Sequence, residues 1–341
     1  MGLPKNSGID IRCKYEKGNR NLITDVPGIK VGHVTLIDEG KGIHTGVTAI
    51  LPHSENIFQK KVMAATSVIN GFGKSAGLIQ IDELGTIESP IIMTNTFGVG
   101  TALNAVTKYM LEVNEDIGNT TGTVNCVVTE CNDSELNDIR GMHINEEDVI
   151  GAIRNCSDIF EEGGVGAGTG MVCMGIKGGI GSASRIVNCD NHNYTIGAIL
   201  MSNYGVSGNL MIDGKRVDTR NIPESESEKG SVIIVLGTDL PLNERQLRRV
   251  AKRATVALAR TGSYLGNGSG DIAISFSTSN IVPHYSEKDI IETKMFHDGA
   301  MDKIFEATAE VVEEAVISSL YHGEYVKGIR GKEVYGLHEY L

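Results

Sequence analysis

Strand-length apolar runs that follow one another with few helices between them constrain this chain more than any other feature. Val232-Ile233-Ile234-Val235-Leu236 is unbroken and mostly β-branched, which reads as a buried strand. Similar runs predict strands within residues 21–37, where Pro27-Gly28 makes the turn, and at Gly46–Leu51, Val62–Ser67, Pro90–Thr94, Thr123–Thr129, 193–202 and Ile272–Phe276. Helical periodicity is rarer. It predicts helices at Thr101–Glu112, with Leu103, Val106, Met110 and Leu111 inward, and after the cap Asn145. The two strongest helices come late. Glu244–Arg260 opens with an Asn243/Gln246 capping box, and Gly299–Leu320 carries Met301, Ile304, Phe305, Val311, Val312, Ala315 and Val316 on one face. Glu310, Glu313 and Glu314 are expected on a solvated face, and the last polar residues are expected to be mobile or at an interface. Successive strands exclude a regularly alternating doubly wound sheet. They predict helices covering stacked sheets, an α/β layered sandwich in one domain.

Charge narrows the partners. The 341 residues carry a net charge of −12, and the densest basic cluster, Arg245 to Arg253, lies on a predicted helix. No nucleic acid and no anionic membrane is expected as a partner. No apolar stretch reaches the length of a membrane span, and residues 1–20 hold no secretory signal core. Cys13, Cys126, Cys131, Cys156, Cys173 and Cys189 form no C-x-x-C pair, which predicts a reducing, cytoplasmic setting and argues against a structural zinc site. Trp is absent, so stacking on a flat cofactor is not favoured.

Three glycine-containing stretches carry candidate chemistry. Gly71-Phe-Gly-Lys-Ser75 fails as a phosphate loop, because Val68 stands where that pattern needs its first Gly. Residues 163–185 hold Gly166-Ala167-Gly168 without a preceding strand, so they read as a backbone-lined wall rather than a dinucleotide site. Gly230-Ser231 is different. It joins an acidic, Ser-rich stretch headed by Pro223, expected to be exposed and mobile, to the Val232 strand. A Ser hydroxyl there would attack the Gly230 carbonyl, and ester hydrolysis would leave Ser231 as an N-terminus. Its α-amine, with a reference pKa of roughly 7.7–8.0, would then act as base for its own hydroxyl. The residues alone leave this open beside an ordinary strand that starts with Ser.

Taken in order, several segments resemble the L-aminopeptidase/D-esterase-amidase family (DmpA-type), which includes β-aminopeptidases. They are Asn21-Leu-Ile-Thr-Asp-Val-Pro-Gly-Ile-Lys-Val-Gly-His33, His44-Thr-Gly-Val-Thr48, Thr94-Asn-Thr96, Gly164-Val-Gly-Ala-Gly-Thr-Gly-Met171, Lys177-Gly-Gly-Ile-Gly181, Gly230-Ser231 and Gly268-Ser-Gly-Asp271. The resemblance implies a four-layer αββα sandwich of the DmpA/ornithine-acetyltransferase-like type. It implies a precursor that cleaves itself into fragments 1–230 and 231–341, with Ser231 as N-terminal nucleophile. It further implies release of N-terminal residues from short peptides, amides or esters, no metal or organic cofactor, and a homo-oligomer, a tetramer by analogy.

Residue by residue, Asn203 matches the family's oxyanion-hole asparagine. Ser269 and Asp271 match the pair that orients the nucleophile. Relatives carry Glu at the acid, so Asp271 is one methylene shorter. Relatives often carry Tyr where Asn132 stands in Glu130-Cys131-Asn132-Asp133, so Asn132 would substitute through its amide, or a backbone N–H would serve. Glu130 is the expected anion for the substrate's ammonium. Two rivals remain: an acyltransferase on the same fold, although the ornithine acetyltransferases use Thr, and a non-cleaving small-molecule-binding protein.

Overall fold

A computed structural model describes residues 2–3, 9, 11–219, 222 and 227–341. In chain order, strands β1 (Lys30–Asp38), β2 (Ile43–Leu51) and β3 (Lys60–Gly71) precede helix α1 (Leu78–Leu84). Strands β4 (Thr86–Ile87) and β5 (Ile91–Asn95) lead to α2 (Val99–Val113), then β6 (Val127–Cys131) and α3 (Glu146–Arg154). A small hairpin, β7 (Val172–Cys173) and β8 (Ile176–Lys177), precedes the long strands β9 (Gly179–Cys189) and β10 (His192–Asn203). A second hairpin, β11 (Met211–Ile212) and β12 (Lys215–Arg216), precedes β13 (Lys229–Thr238), α4 (Glu244–Ala251), α5 (Ala254–Arg260) and β14 (Gly268–Pro283). Helix α6 (Met301–Tyr321) and a last hairpin, β15 (Val326–Lys327) and β16 (Glu333–Val334), close the chain.

The long strands build two sheets. One has the order β1-β2-β5-β6, the other β4-β3-β14-β13-β10-β9. Side-chain alternation in the second sheet decides what it faces. Ile199, Met201, Ile233, Val235, Ile272 and Ile274 point to the first sheet and share its core with Val47, Ala49 and Ile92. Ala198, Leu200, Val232, Ile234, Leu236 and Ala273 point the other way, onto Leu247 and Val250 of α4 and Ile304, Val311 and Val316 of α6. Helices α2 and α3 cover the outer face of the first sheet. Helix, sheet, sheet, helix is the predicted four-layer sandwich.

Several local expectations change. Asn267–Asp271 reads in isolation as a tight loop, yet from Gly268 it is the start of β14, because it pairs in parallel with β13 from Lys229 onward. The helix predicted over 244–260 breaks at Lys252–Arg253. The strand predicted from Thr123 starts only at Val127, and Leu111 is exposed. Glu310, Glu313 and Glu314 are buried rather than solvated, because α6 is enclosed on nearly every side. The polar C-terminus is tied down by β15–β16 and by buried Val334 and Leu337. Of the polar stretch before Ser231, Pro223 and Glu226 lie outside the described residues, whereas Glu228 is buried.

Candidate active site

Two ladders fix Ser231. It sits opposite Asn203 in the antiparallel β10–β13 pair and opposite Gly270 in the parallel β13–β14 pair. A buried β-branched strand accepts such neighbours on both edges, so the start of β13 is placed by the strand that follows it. The Ser231 hydroxyl donates to the Gly230 carbonyl at 2.6 Å, and the side chain is buried. Gly230 has φ +117°, in a region that only glycine enters readily, and a Cβ there would lie 1.9 Å from the Asn203 carbonyl oxygen. Gly270 gives the Ser231 hydroxyl room: a Cβ at that position would meet the Phe72 carbonyl oxygen at 2.4 Å and Ser231 Oγ at 3.0 Å.

Asn203 ends β10 with its amide held at both ends. Its Oδ1 accepts from the Val172 N–H at 2.9 Å, and its Nδ2 donates to the Asn132 carbonyl at 3.0 Å. That arrangement sets which end of the amide faces which way. It leaves the second Nδ2 proton to donate elsewhere. The Asn132 side chain is held at its oxygen, whose Oδ1 accepts locally from the Ser134 N–H at 3.0 Å. What Asn132 supplies to Asn203 is its backbone carbonyl, which any residue type provides.

Ser269 and Asp271 come together as a pair, the Ser269 hydroxyl donating to Asp271 Oδ1 at 2.6 Å. Both are buried. Burial pushes the Asp271 carboxyl up to about 6; the Ser269 hydrogen bond opposes this and the nearby Glu228 charge adds to it. Asp271 Oδ2 makes no hydrogen bond among the described residues. Glu130 lies on the Phe72–Lys74 side, its carboxylate accepting from the Lys74 N–H at 2.8 Å and from the Thr96 hydroxyl. The ladders thus gather one group of residues at this end of the sheet: Ser231 sits opposite Asn203 and Gly270, and Ser269 and Asp271 flank Gly270 along β14. Asn132 joins it through its backbone, and Glu130 through the turn that closes over Gly270.

Two contributors escaped sequence reasoning. Lys177 is fully buried, and its ammonium donates to the carbonyls of Gly168 (3.0 Å), Met171 (3.1 Å) and Gly178 (2.6 Å). Burial draws it down to about 7. It binds the glycine-rich wall into one piece and so anchors Val172, which orients Asn203. A lone Lys among glycines was the available signal. The second is the C-terminal segment. A cleft of about 770 Å³ opens at Asn203 and Gly230, and Lys332, Tyr335 and Tyr340 line it together with Asn132 and Met174. Nothing in the periodicity of those residues announces that role.

The profile of peptidase family S58 matches residues 21–334. The chain is 34% identical over 353 residues to the beta-peptidyl aminopeptidase BapA of Sphingosinicella microcystinivorans, spanning 96% of this chain and 88% of that one. A solved structure of a Pyrococcus horikoshii OT3 protein is 52% identical with a TM-score of 0.92, covering 98% of this chain and 95% of the other. The L-aminopeptidase D-Ala-esterase/amidase of Ochrobactrum anthropi, described as a variant of the Ntn hydrolase fold, is 34% identical with a TM-score of 0.88, covering 97% of each chain.

Proposed function

The chain belongs to peptidase family S58, and from that premise we propose that it is an aminopeptidase of the Ntn hydrolase fold whose nucleophile is Ser231, freed by cleavage of its own Gly230–Ser231 bond. The observation that carries this reading is the Ser231 hydroxyl lying 2.6 Å from the carbonyl oxygen of the bond it would break. In self-cleavage, Ser231 Oγ bonds to the Gly230 carbonyl carbon, the C–N bond breaks, and the hydroxyl proton passes to the departing amine. Water then hydrolyses the ester. The products are fragment 1–230, ending in a carboxylate, and fragment 231–341.

In turnover the new α-amine takes the Oγ proton as Ser231 attacks the substrate carbonyl. Asn203 Nδ2 donates its remaining proton to the oxyanion. Asp271, oriented by Ser269, offers its unpaired Oδ2 to the α-ammonium that forms. The departing amine takes up that proton, and water releases the acyl group. Glu130 is the proposed partner for the substrate's own ammonium. The cleft beside Gly230 supports short peptides, amides or esters as substrates. A homo-oligomer, tetrameric by family analogy, belongs to the same proposal.

Intact mass spectrometry of wild type beside Ser231→Ala tests it. Wild type is expected as two fragments split after Gly230, with the variant intact and inactive. A wild type that stays whole yet hydrolyses an amino-acid amide would overturn the N-terminal nucleophile. One that stays whole and inactive would favour the binding-protein reading.

A further inference from the structure

Glu228 stands two residues before the proposed scissile carbonyl, yet it is as buried as the catalytic group, at 2% exposure. Each oxygen of its carboxylate accepts a hydrogen bond from one short segment. The Ser263 hydroxyl donates to Oε1, and the Tyr264 N–H donates to Oε2 at 3.0 Å. The Tyr264 hydroxyl in turn accepts from the Glu228 N–H at 2.8 Å. Ser263 is itself fixed, accepting from the Leu265 N–H at 3.0 Å. The backbones meet closely here: a Cβ at Gly266 would lie 2.6 Å from the Cβ of Glu228. An acidic side chain in an exposed linker has no need of such a socket.

We propose that this socket is a clamp that positions the chain for self-cleavage. Downstream, Ser231 is locked in register with Asn203 and Gly270. Upstream, Glu228 is locked to Ser263 and Tyr264. Only Lys229 and Gly230 span the interval, so Gly230 cannot relax its positive φ by letting the linker slip. Holding both ends keeps the Gly230 carbonyl against the Ser231 hydroxyl, and the restricted geometry raises the fraction of time spent near attack. Glu228 touches no reacting atom. It is a positioning residue for maturation, and its work ends when the bond is cut. This rests on the proposal that Gly230–Ser231 is cleaved.

The test follows fragment appearance by intact mass in wild type, Glu228→Ala, Glu228→Gln, Ser263→Ala and Tyr264→Phe, with circular dichroism for folding. Turnover of alanine p-nitroanilide is then measured per mole of cleaved protein. Glu228→Ala is expected to slow cleavage by about tenfold or more, the effect of losing hydrogen bonds to a buried charged group. Glu228→Gln keeps both side-chain bonds, since the Ser263 hydroxyl can accept as well as donate, and is expected to recover cleavage to within about threefold of wild type. Ser263→Ala and Tyr264→Phe should fall between and decide the matter if Glu228→Ala does not fold. Turnover of the cleaved molecules, measured at pH 8 where Asp271 is ionised with or without the Glu228 charge nearby, should stay within about threefold throughout, because the clamp is not part of that step. Cleavage at the wild-type rate in Glu228→Ala, or in both socket variants, overturns the clamp alone. Equal loss of cleavage and turnover also overturns it, by showing a merely structural role. A wild type that never cleaves removes the clamp together with the nucleophile it serves.

Discussion

The role proposed for Asn203 needs its amide turned one way, and two backbone groups, the Val172 N–H and the Asn132 carbonyl, turn it. Asn203→Ala is therefore expected to cost on the order of 10²–10³ in kcat, as loss of an oxyanion donor does elsewhere. Asn132→Ala keeps the carbonyl that matters and should stay within about threefold. Steady-state kinetics on an amino-acid amide with fully cleaved protein separates the two. Asp271 invites a test by pH. Its carboxyl sits at about 6 against an ordinary value of 3.8, because burial disfavours the charge. Below 3.8 both folded and unfolded chains hold the proton, so the group costs nothing. As pH rises from there to about 6 the unfolded chain loses it first, and stability falls, then levels off. In the cleaved enzyme the new α-ammonium favours the carboxylate, so activity is expected to rise as the α-amine, with a reference pKa of roughly 7.7–8.0, loses its proton. Asp271→Asn should move that rise to lower pH and lose most of the activity while unfolding no more easily than wild type at pH 8. A thermal melt beside a pH–rate profile checks both halves.

Among the elements, α6 departs furthest from its sequence pattern. Its acidic face was expected in solvent, yet Arg185 of β9 reaches Glu310 at 3.1 Å and Glu314 at 2.5 Å with its guanidinium fully buried. Lys17 and Asn21 add contacts to Glu314, both at 2.7 Å. Burial alone would raise the Glu314 carboxyl, but Arg185 and Lys17 hold it below its ordinary value. Glu314→Ala leaves Arg185 with Glu310 alone and strips Lys17 and Asn21 of their acceptor, so it is expected to destabilise by about 1.5–3 kcal/mol in denaturant unfolding, less than the loss of a lone buried partner. The apolar face of α6 was legible because helical periodicity is local. The acidic face was not, because its partner lies more than a hundred residues away. Likewise Gly268–Asp271 resembles a turn in isolation and becomes a strand only because β13 supplies the ladder.

At the level of the whole molecule, the proposed cut passes through a single sheet. Fragment 231–341 would contribute β13 and β14, and these lie between β3 and β10 of fragment 1–230. Each fragment alone would expose open sheet edges and the core between the sheets. The two are therefore expected to stay together after cleavage, migrating as one particle in size-exclusion chromatography and separating only in denaturant. Short-range properties were readable directly: strand runs, the cap at Asn145, the capping box at Asn243, the Gly230–Ser231 junction, and enough ordered motifs to point to the family. Tertiary closure alone decided which groups meet. It turned the Asn203 amide, emptied one oxygen of Asp271, seated Glu228 in its socket and brought the C-terminus to the cleft. Periodicity and turn chemistry are set by neighbours within a few residues, whereas each of those contacts depends on register between strands far apart in the chain.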